Sequence, residues 1–238
     1  MESLIRWLLD KTLIRLLRYI MRRLRPPEDA LDDVYKVVHR RAVHASADFV
    51  EQHVHEAQLF PRREQLWDFV LSLPPGNGLY AEFGVHTGWS INYLARQLAR
   101  RDITIYGFDS FQGLKENWRG THFTRGHFDL GGKPPCVEPN VTLVKGWFDK
   151  TLPGFLAANL GLFAFVHFDA DTYESARLVL SLIGERLQAG AILVFDEYLG
   201  FPNWRNGEFR AWQEFATTRG LEFRYLAFGP TQAALQVL

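Results

Sequence analysis

The chain has 238 residues, 47% of them hydrophobic, a formal net charge of zero and a single cysteine, Cys136. That length suits one α/β domain with a full core plus an appended segment. Neutrality removes any global argument for nucleic acid, and one cysteine excludes an intrachain disulfide framework and fits a reducing, cytoplasmic compartment.

The amino terminus departs from that neutrality. Up to Arg25 it carries seven basic residues against two acids. On a helical wheel Lys11, Arg15, Arg18, Arg22 and Arg25 fall on one side, and Leu9, Leu13, Leu16, Leu17, Ile20 and Leu24 on the other. Pro26-Pro27 ends this basic amphipathic helix. Charges interrupt it too often for a membrane span, and it lacks the apolar run of a signal peptide. It reads as a peripheral membrane contact, a homo-oligomer or partner-docking helix, or a helix packed on its own domain. Residues 1–27 are therefore expected as one segment and 28–77 as a helical extension. Within that extension "PRREQLWDFVLSL" forms a helix starting at Pro61. "PPGNG" at 74–78 marks entry to a main domain over 78–238.

From there strands and helices alternate. Strands are expected at 79–85, 103–110, 141–147, 164–170 and 191–198, with helices at 88–101, 150–160, 173–187 and 207–220. A polar insertion, 111–140, follows the second strand. The last two strands, around "FRYLAF" and "QAALQVL", are joined by a few residues and must pair antiparallel. The fold class is α/β, a doubly wound, mostly parallel seven-stranded sheet with a terminal antiparallel hairpin, preceded by helices.

"YAEFGVHTGWS" (80–90) delivers a strand into a turn with glycines at 84 and 88. Neither the dinucleotide fingerprint nor the P-loop is present. With "YGFDSFQGL", "LVKGWFDKTLP", "HFDADTYES" and "VFDEY" it makes five stretches in order, each at the carboxyl end of an expected strand. On these the chain resembles the class I S-adenosylmethionine-dependent methyltransferases, and among them the macrocin O-methyltransferase group, which methylates sugar hydroxyls on macrolides. The resemblance covers roughly residues 78–238.

It implies a cofactor site made by Glu82, Gly84, Thr87, Gly88, Asp109, Ser110, Gly146, Trp147 and Asp169. Glu82 would face the ammonium of S-adenosylmethionine, and Gly84 and Gly88 would let backbone approach its methionine portion. The following helix amino terminus would favour the carboxylate, and Asp109 would accept from the ribose hydroxyls. An Asx turn is the other use for Asp109. Trp147 would border adenine or pack in the core. Where relatives often carry another glycine, this chain has His86.

Three carboxylates at the ends of the fourth and fifth strands would repel one another unless a cation neutralised them. In the related catechol-type and macrocin-type enzymes acids in these places hold magnesium, which implies Asp169, Asp196 and Glu197 as ligands here. An apo site in which Asp169 borders the cofactor is the alternative. The implied reaction is O-methyl transfer to a small-molecule acceptor, a sugar or natural-product hydroxyl, with Asp169 as the catalytic residue. Catechol-type relatives place a lysine just after the strand-four acid, and this chain has Thr172. His122, His127 and His167 are the other bases considered. A non-catalytic cofactor-binding or docking module, and an NAD-dependent oxidoreductase, are the competing readings.

Overall fold

The computed structural model describes residues 33–74 and 76–238. The chain divides into two units, residues 1–40 and 41–238. The basic amphipathic segment expected over residues 1–25 lies outside the described residues. The elements in chain order are α1 (Val34–Glu51), β1 (Gln58–Leu59), α2 (Arg63–Ser72), β2 (Leu79–Phe83), α3 (Trp89–Ala99), β3 (Ile105–Asp109) and β4 (Val141–Lys145). They continue with α4 (Phe148–Ala158), β5 (Phe163–Phe168), α5 (Tyr173–Ile183), β6 (Leu187–Phe195), α6 (Glu208–Arg219), β7 (Phe223–Phe228) and β8 (Ala233–Val237).

All eight strands join one sheet in the order β1-β7-β8-β6-β5-β2-β3-β4. Every pairing is parallel except those of β8, which runs antiparallel to both β6 and β7. The seven expected strands are all present. The eighth, β1, is a two-residue strand that pairs with β7 at the edge. Nothing in "QLF" marks so short a strand, because it exists only through its partner. Of the helical extension expected over 28–77, residues 41–77 fall in the unit that holds the sheet.

The central strands show why the fold is legible. β5 is FAFVHF and every one of its residues is buried. Such unbroken apolar runs are what a parallel strand covered on both faces requires. One face of the sheet packs with α4, α5 and α6 through residues such as Leu152, Val179 and Trp212. The other packs with α2 and α3 through Leu66, Trp67, Ile91 and Leu94. Each such large side chain contributes roughly 1.5–3 kcal/mol on burial. Local signals set the helix ends. Thr172 caps α5 by accepting from the Ser175 N–H at 3.2 Å, and Gly220 closes α6 at φ 62°.

β2 has β3 and β4 on one side and β5 and β6 on the other. The chain winding therefore reverses between β2 and β5, and a crevice opens at the carboxyl ends of those strands. Among the described residues no helix is long and apolar enough to cross a membrane.

Candidate active site

A cavity of about 370 Å³ occupies that crevice. Of the residues expected at a cofactor or metal site, Gly84, Asp109, Ser110, Gly146, Trp147, Asp169, Asp196 and Glu197 line it, and Glu82, Thr87 and Gly88 do not.

Gly84 leaves β2 at φ +96°, and a Cβ there would lie 1.7 Å from the carbonyl oxygen of Asp169. Only glycine lets the two strand ends come this close. Asp109, at the end of β3, fastens the next turn. One of its oxygens accepts from the Val85 and His86 N–H groups at 2.8 and 2.7 Å, and the other from the Phe111 N–H at 2.7 Å. Asp109 makes the Asx turn and also faces the cavity. Three backbone bonds leave about one acceptor site of the carboxylate unused. His86 sits at φ 47°, so the loop keeps the left-handed turn for which relatives use glycine. Its ring lines the cavity. Gly88 also takes a left-handed φ, 82°, but faces Pro135, and Thr87 is exposed.

Glu82 has a different environment from the one expected. It is fully buried, accepts from Ser90 Oγ at 2.8 Å and lies 3.2 Å from His167 Nδ1. The reason is register: Glu82 on β2 is the direct partner of His167 on β5. The other ring nitrogen of His167 is 3.8 Å from Asp196, an ion-pair distance beyond hydrogen-bond range. Burial opposes a charge on His167, but the two acids outweigh it and hold its pKa at about 10. Burial pushes Asp196 up, but His167, Arg63 and Gln232 bring it below the usual carboxylate range. Arg63 reaches Asp196 at 3.4 Å and Gln232 donates to it at 3.0 Å. Asp196 is thus committed to a polar network.

The acids that converge are Asp169, Asp171 and Glu197, with carboxylate oxygens all within 4.8 Å of one another. Asp171 belongs to this grouping, and Asp196, which also lines the cavity, does not. Asp171 stands two residues after Asp169, in "DAD", at φ 61°, a left-handed turn that aspartate tolerates well. Burial and neighbouring acids push Asp169 and Glu197 well above the carboxylate range, and Asp171 up to about 7. Glu197 Oε2 is buried and has no partner. Behind the cluster Glu208, the first residue of α6, accepts from the Ala170 N–H at 3.1 Å and the Glu197 N–H at 3.3 Å. Burial raises it to about 8. Three clustered carboxylates with an orphaned buried oxygen fit a hard divalent cation such as magnesium. Sequence reasoning missed Glu208 and Arg63 as parts of the site, and it left Asp171 of "DADT" outside the metal set.

The insertion after β3 closes the cavity from above. Leu114, Trp118, Phe123 and Phe128 line it. Lys115 bonds Asp149 at 3.2 Å, at the start of α4. Glu116 accepts from Thr172 and from Ser175, at the start of α5. The position where catechol-type relatives carry lysine thus holds the insertion down.

Sheet order and the carboxyl-edge site define the class I methyltransferase fold. Residues 81–198 match the methyltransferase domain family. The chain is 27% identical over 144 residues to the 8-demethyl-8-(2,3-dimethoxy-alpha-L-rhamnosyl)-tetracenomycin-C 4'-O-methyltransferase of Streptomyces olivaceus, covering 51% of this chain and 53% of that enzyme. It spans about half the length of this curated relative. It is similar to the crystal structure of CalS11, the calicheamicin methyltransferase, at 25% identity and TM-score 0.57, with 86% of this chain and 93% of that one covered. The O-methyltransferase NovP shares the fold at 20% identity and TM-score 0.55, over 73% of this chain and 76% of that one. Residues 81–198 thus carry a methyltransferase domain with the fold of the class I S-adenosylmethionine-dependent enzymes.

Proposed function

We propose that the protein transfers the methyl group of S-adenosylmethionine to a hydroxyl of a sugar-bearing small molecule, assisted by a divalent cation. The observation that carries this is the meeting of Asp169, Asp171 and Glu197 in the cavity that Gly84, Asp109 and Trp147 line. The sugar is suggested by the rhamnosyl 4'-O-methyltransferase relative.

Gly84 brings bare backbone to the methionine end of the cofactor, and the loop ordered by Asp109 borders its ribose. Trp147 is half-buried at the end of β4, where adenine would lie. Asp169, Asp171 and Glu197 would hold the cation, magnesium being the hard ion that oxygen donors favour. Held there, it would lower the pKa of a hydroxyl brought beside it. Proton removal falls to a carboxylate. His167 is sealed off, and neither His122 nor His127 lines the cavity. Asp169 and Asp171 both line the cavity, and whichever is not bound to the cation is placed to take the proton. The deprotonated oxygen attacks the methyl carbon, the S–CH3 bond breaks with its electron pair on sulfur, and S-adenosylhomocysteine and a methyl ether result. The chain's contribution is orientation and a fixed electrostatic field.

Incubation with methyl-labelled S-adenosylmethionine and a panel of glycosides tests this, with magnesium or with chelator. Label should pass to a glycoside with magnesium and not without it, and Glu197→Gln should lose most of the transfer. Full activity after exhaustive chelation would remove the cation from the mechanism. Label in no acceptor would remove the transferase reading.

A further inference from the structure

Resting on the cofactor reading above, we propose that Arg63 binds the carboxylate at the amino-acid end of S-adenosylmethionine. The cofactor site then begins in α2, ahead of residues 81–198 that match the methyltransferase domain.

The first observation is the direction in which the cofactor lies. Trp147 follows β4, Asp109 ends β3 and Gly84 follows β2. Across this side of the sheet the order is β4, β3, β2, β5, β6. With adenine beside Trp147, ribose beside the Asp109 loop and the methionine chain beside Gly84, the amino-acid end points past β2 toward β5 and β6. Arg63 stands there. Its Nη1 is 3.4 Å from Asp196, the residue after β6, and its guanidinium lies over the ring of Trp89, the first residue of α3, at 4.4 Å. It lines the cavity together with Gly84 and Asp169.

The second observation is that the groups expected to receive this end are turned elsewhere. Glu82 is fully buried, accepting from Ser90 and facing His167. Thr87, Gly88 and Trp89, at the amino terminus of α3, do not line the cavity. An ammonium still finds acids, Asp169 beside Gly84 among them. A carboxylate has fewer partners. Six acidic side chains line the cavity, and its lining Arg and Lys residues are Arg63 and Lys115. Lys115 belongs to the adenine end, bonded to Asp149 at 3.2 Å and 5.6 Å from the Trp147 ring centroid. Arg119 and Arg125 of the insertion are exposed and do not line the cavity. A carboxylate entering among these acids is repelled unless a cation meets it, and Arg63 is the cation at its end of the cavity.

The third observation is how Arg63 is held. A guanidinium carries five N–H donors in a planar fork. The bond to Asp196 takes one of them, and the others have no partner among the described residues. Arg63 is not needed to balance Asp196. Gln232 donates to that acid at 3.0 Å, and His167, charged at neutral pH, stands 3.8 Å from it. Asp196 on one side and the Trp89 ring on another fix the fork in place, with donors left for a second carboxylate. Such a pre-positioned fork suits a carboxylate, which it can grip with two parallel bonds.

The test compares S-adenosylhomocysteine with 5'-methylthioadenosine, which keeps the adenine, ribose and thioether and lacks the amino acid. Each is titrated calorimetrically into the full chain and its Arg63 variants. Arg63→Gln should weaken S-adenosylhomocysteine binding at least about tenfold and leave 5'-methylthioadenosine affinity within about twofold. Arg63→Lys keeps a charge beside Asp196 but not the fork. It should show the same selective loss to a smaller extent, and it makes the comparison should Arg63→Gln not fold. Equal losses for both ligands would mean that Arg63 only shapes the cavity, and overturn the proposal. Unchanged S-adenosylhomocysteine affinity in the variants overturns it too, while the wild type's own binding keeps the cofactor reading. A wild type that binds neither ligand overturns that reading and the proposal together, so the two failures are distinguishable.

Discussion

At the residue scale, positions that bear most on the site are explained by backbone geometry and burial. Gly84 is the clearest. Alanine there would drive Cβ into the Asp169 carbonyl, 1.7 Å away, and separate the ends of β2 and β5. Gly84→Ala should abolish the rise in melting temperature that S-adenosylhomocysteine gives the wild type, and an unchanged rise would refute the close approach. His167 offers a test through pH. Its pKa is raised from 6.5 to about 10 by Asp196 and Glu82 against the effect of burial. Its charge therefore stabilises the fold fully below pH 6.5, and that contribution is lost as pH rises through about 10. The melting temperature should fall between pH 7 and pH 10. His167→Gln, which leaves Glu82 buried without its cation, should cost about 3–5 kcal/mol at pH 7 by denaturant unfolding. A variant as stable as the wild type would show that the pair is dispensable. Residue roles were the least legible part of the sequence. Asp169 and Glu197 stand out as acids at strand ends. The grouping of Asp171 with Asp169 and Glu197, the network around Asp196 and the burial of Glu82 away from the cavity depend on strand register and on partners as distant as Gln232, which alternation along one strand cannot reveal.

At the scale of elements the chain announces itself better. Central strands read as apolar runs because both faces are covered, and helices as repeats of apolar positions with marked ends. The exceptions are elements defined by contact. β1 has two residues and exists through β7, and the insertion over the cavity has no regular structure, so neither carries a period to detect. α6 shows how an element serves the site from behind. Its first residue, Glu208, holds the loop after β5 and the loop after β6 by one backbone bond each. Glu208→Gln keeps the shape but replaces one acceptor oxygen with a donor. Magnesium affinity should then fall on the order of tenfold, as for other groups that orient ligands. S-adenosylhomocysteine affinity should stay within about twofold, because Glu208 does not line the cavity. Equal losses of both, measured by calorimetry, would mean that Glu208 only maintains the fold.

At the scale of the molecule, the sequence separates a net acidic domain from a basic amino-terminal segment, and residues 41–238 form one unit. The segregation of Lys11, Arg15, Arg18, Arg22 and Arg25 from the leucine side supports a membrane or partner surface for residues 1–25. Attraction to anionic lipid adds about 1 kcal/mol per basic residue near the surface and fades with salt. Deleting residues 1–25 should lower co-sedimentation with anionic vesicles or change the oligomeric mass, and leave cofactor affinity intact. If neither property changes and the truncated protein melts well below the full chain, that segment is part of the core instead. The central claim is that the crevice between β2 and β5, with its glycine turn fastened by Asp109, is an S-adenosylmethionine site. Calorimetric titration of the full chain with S-adenosylhomocysteine tests it most directly. The wild type should give a saturable one-to-one isotherm, and Asp109→Ala, which frees three backbone N–H groups, should bind at least about tenfold more weakly, a loss of roughly 1.5–3 kcal/mol. No binding by the wild type, or equal binding by the two proteins, would contradict it.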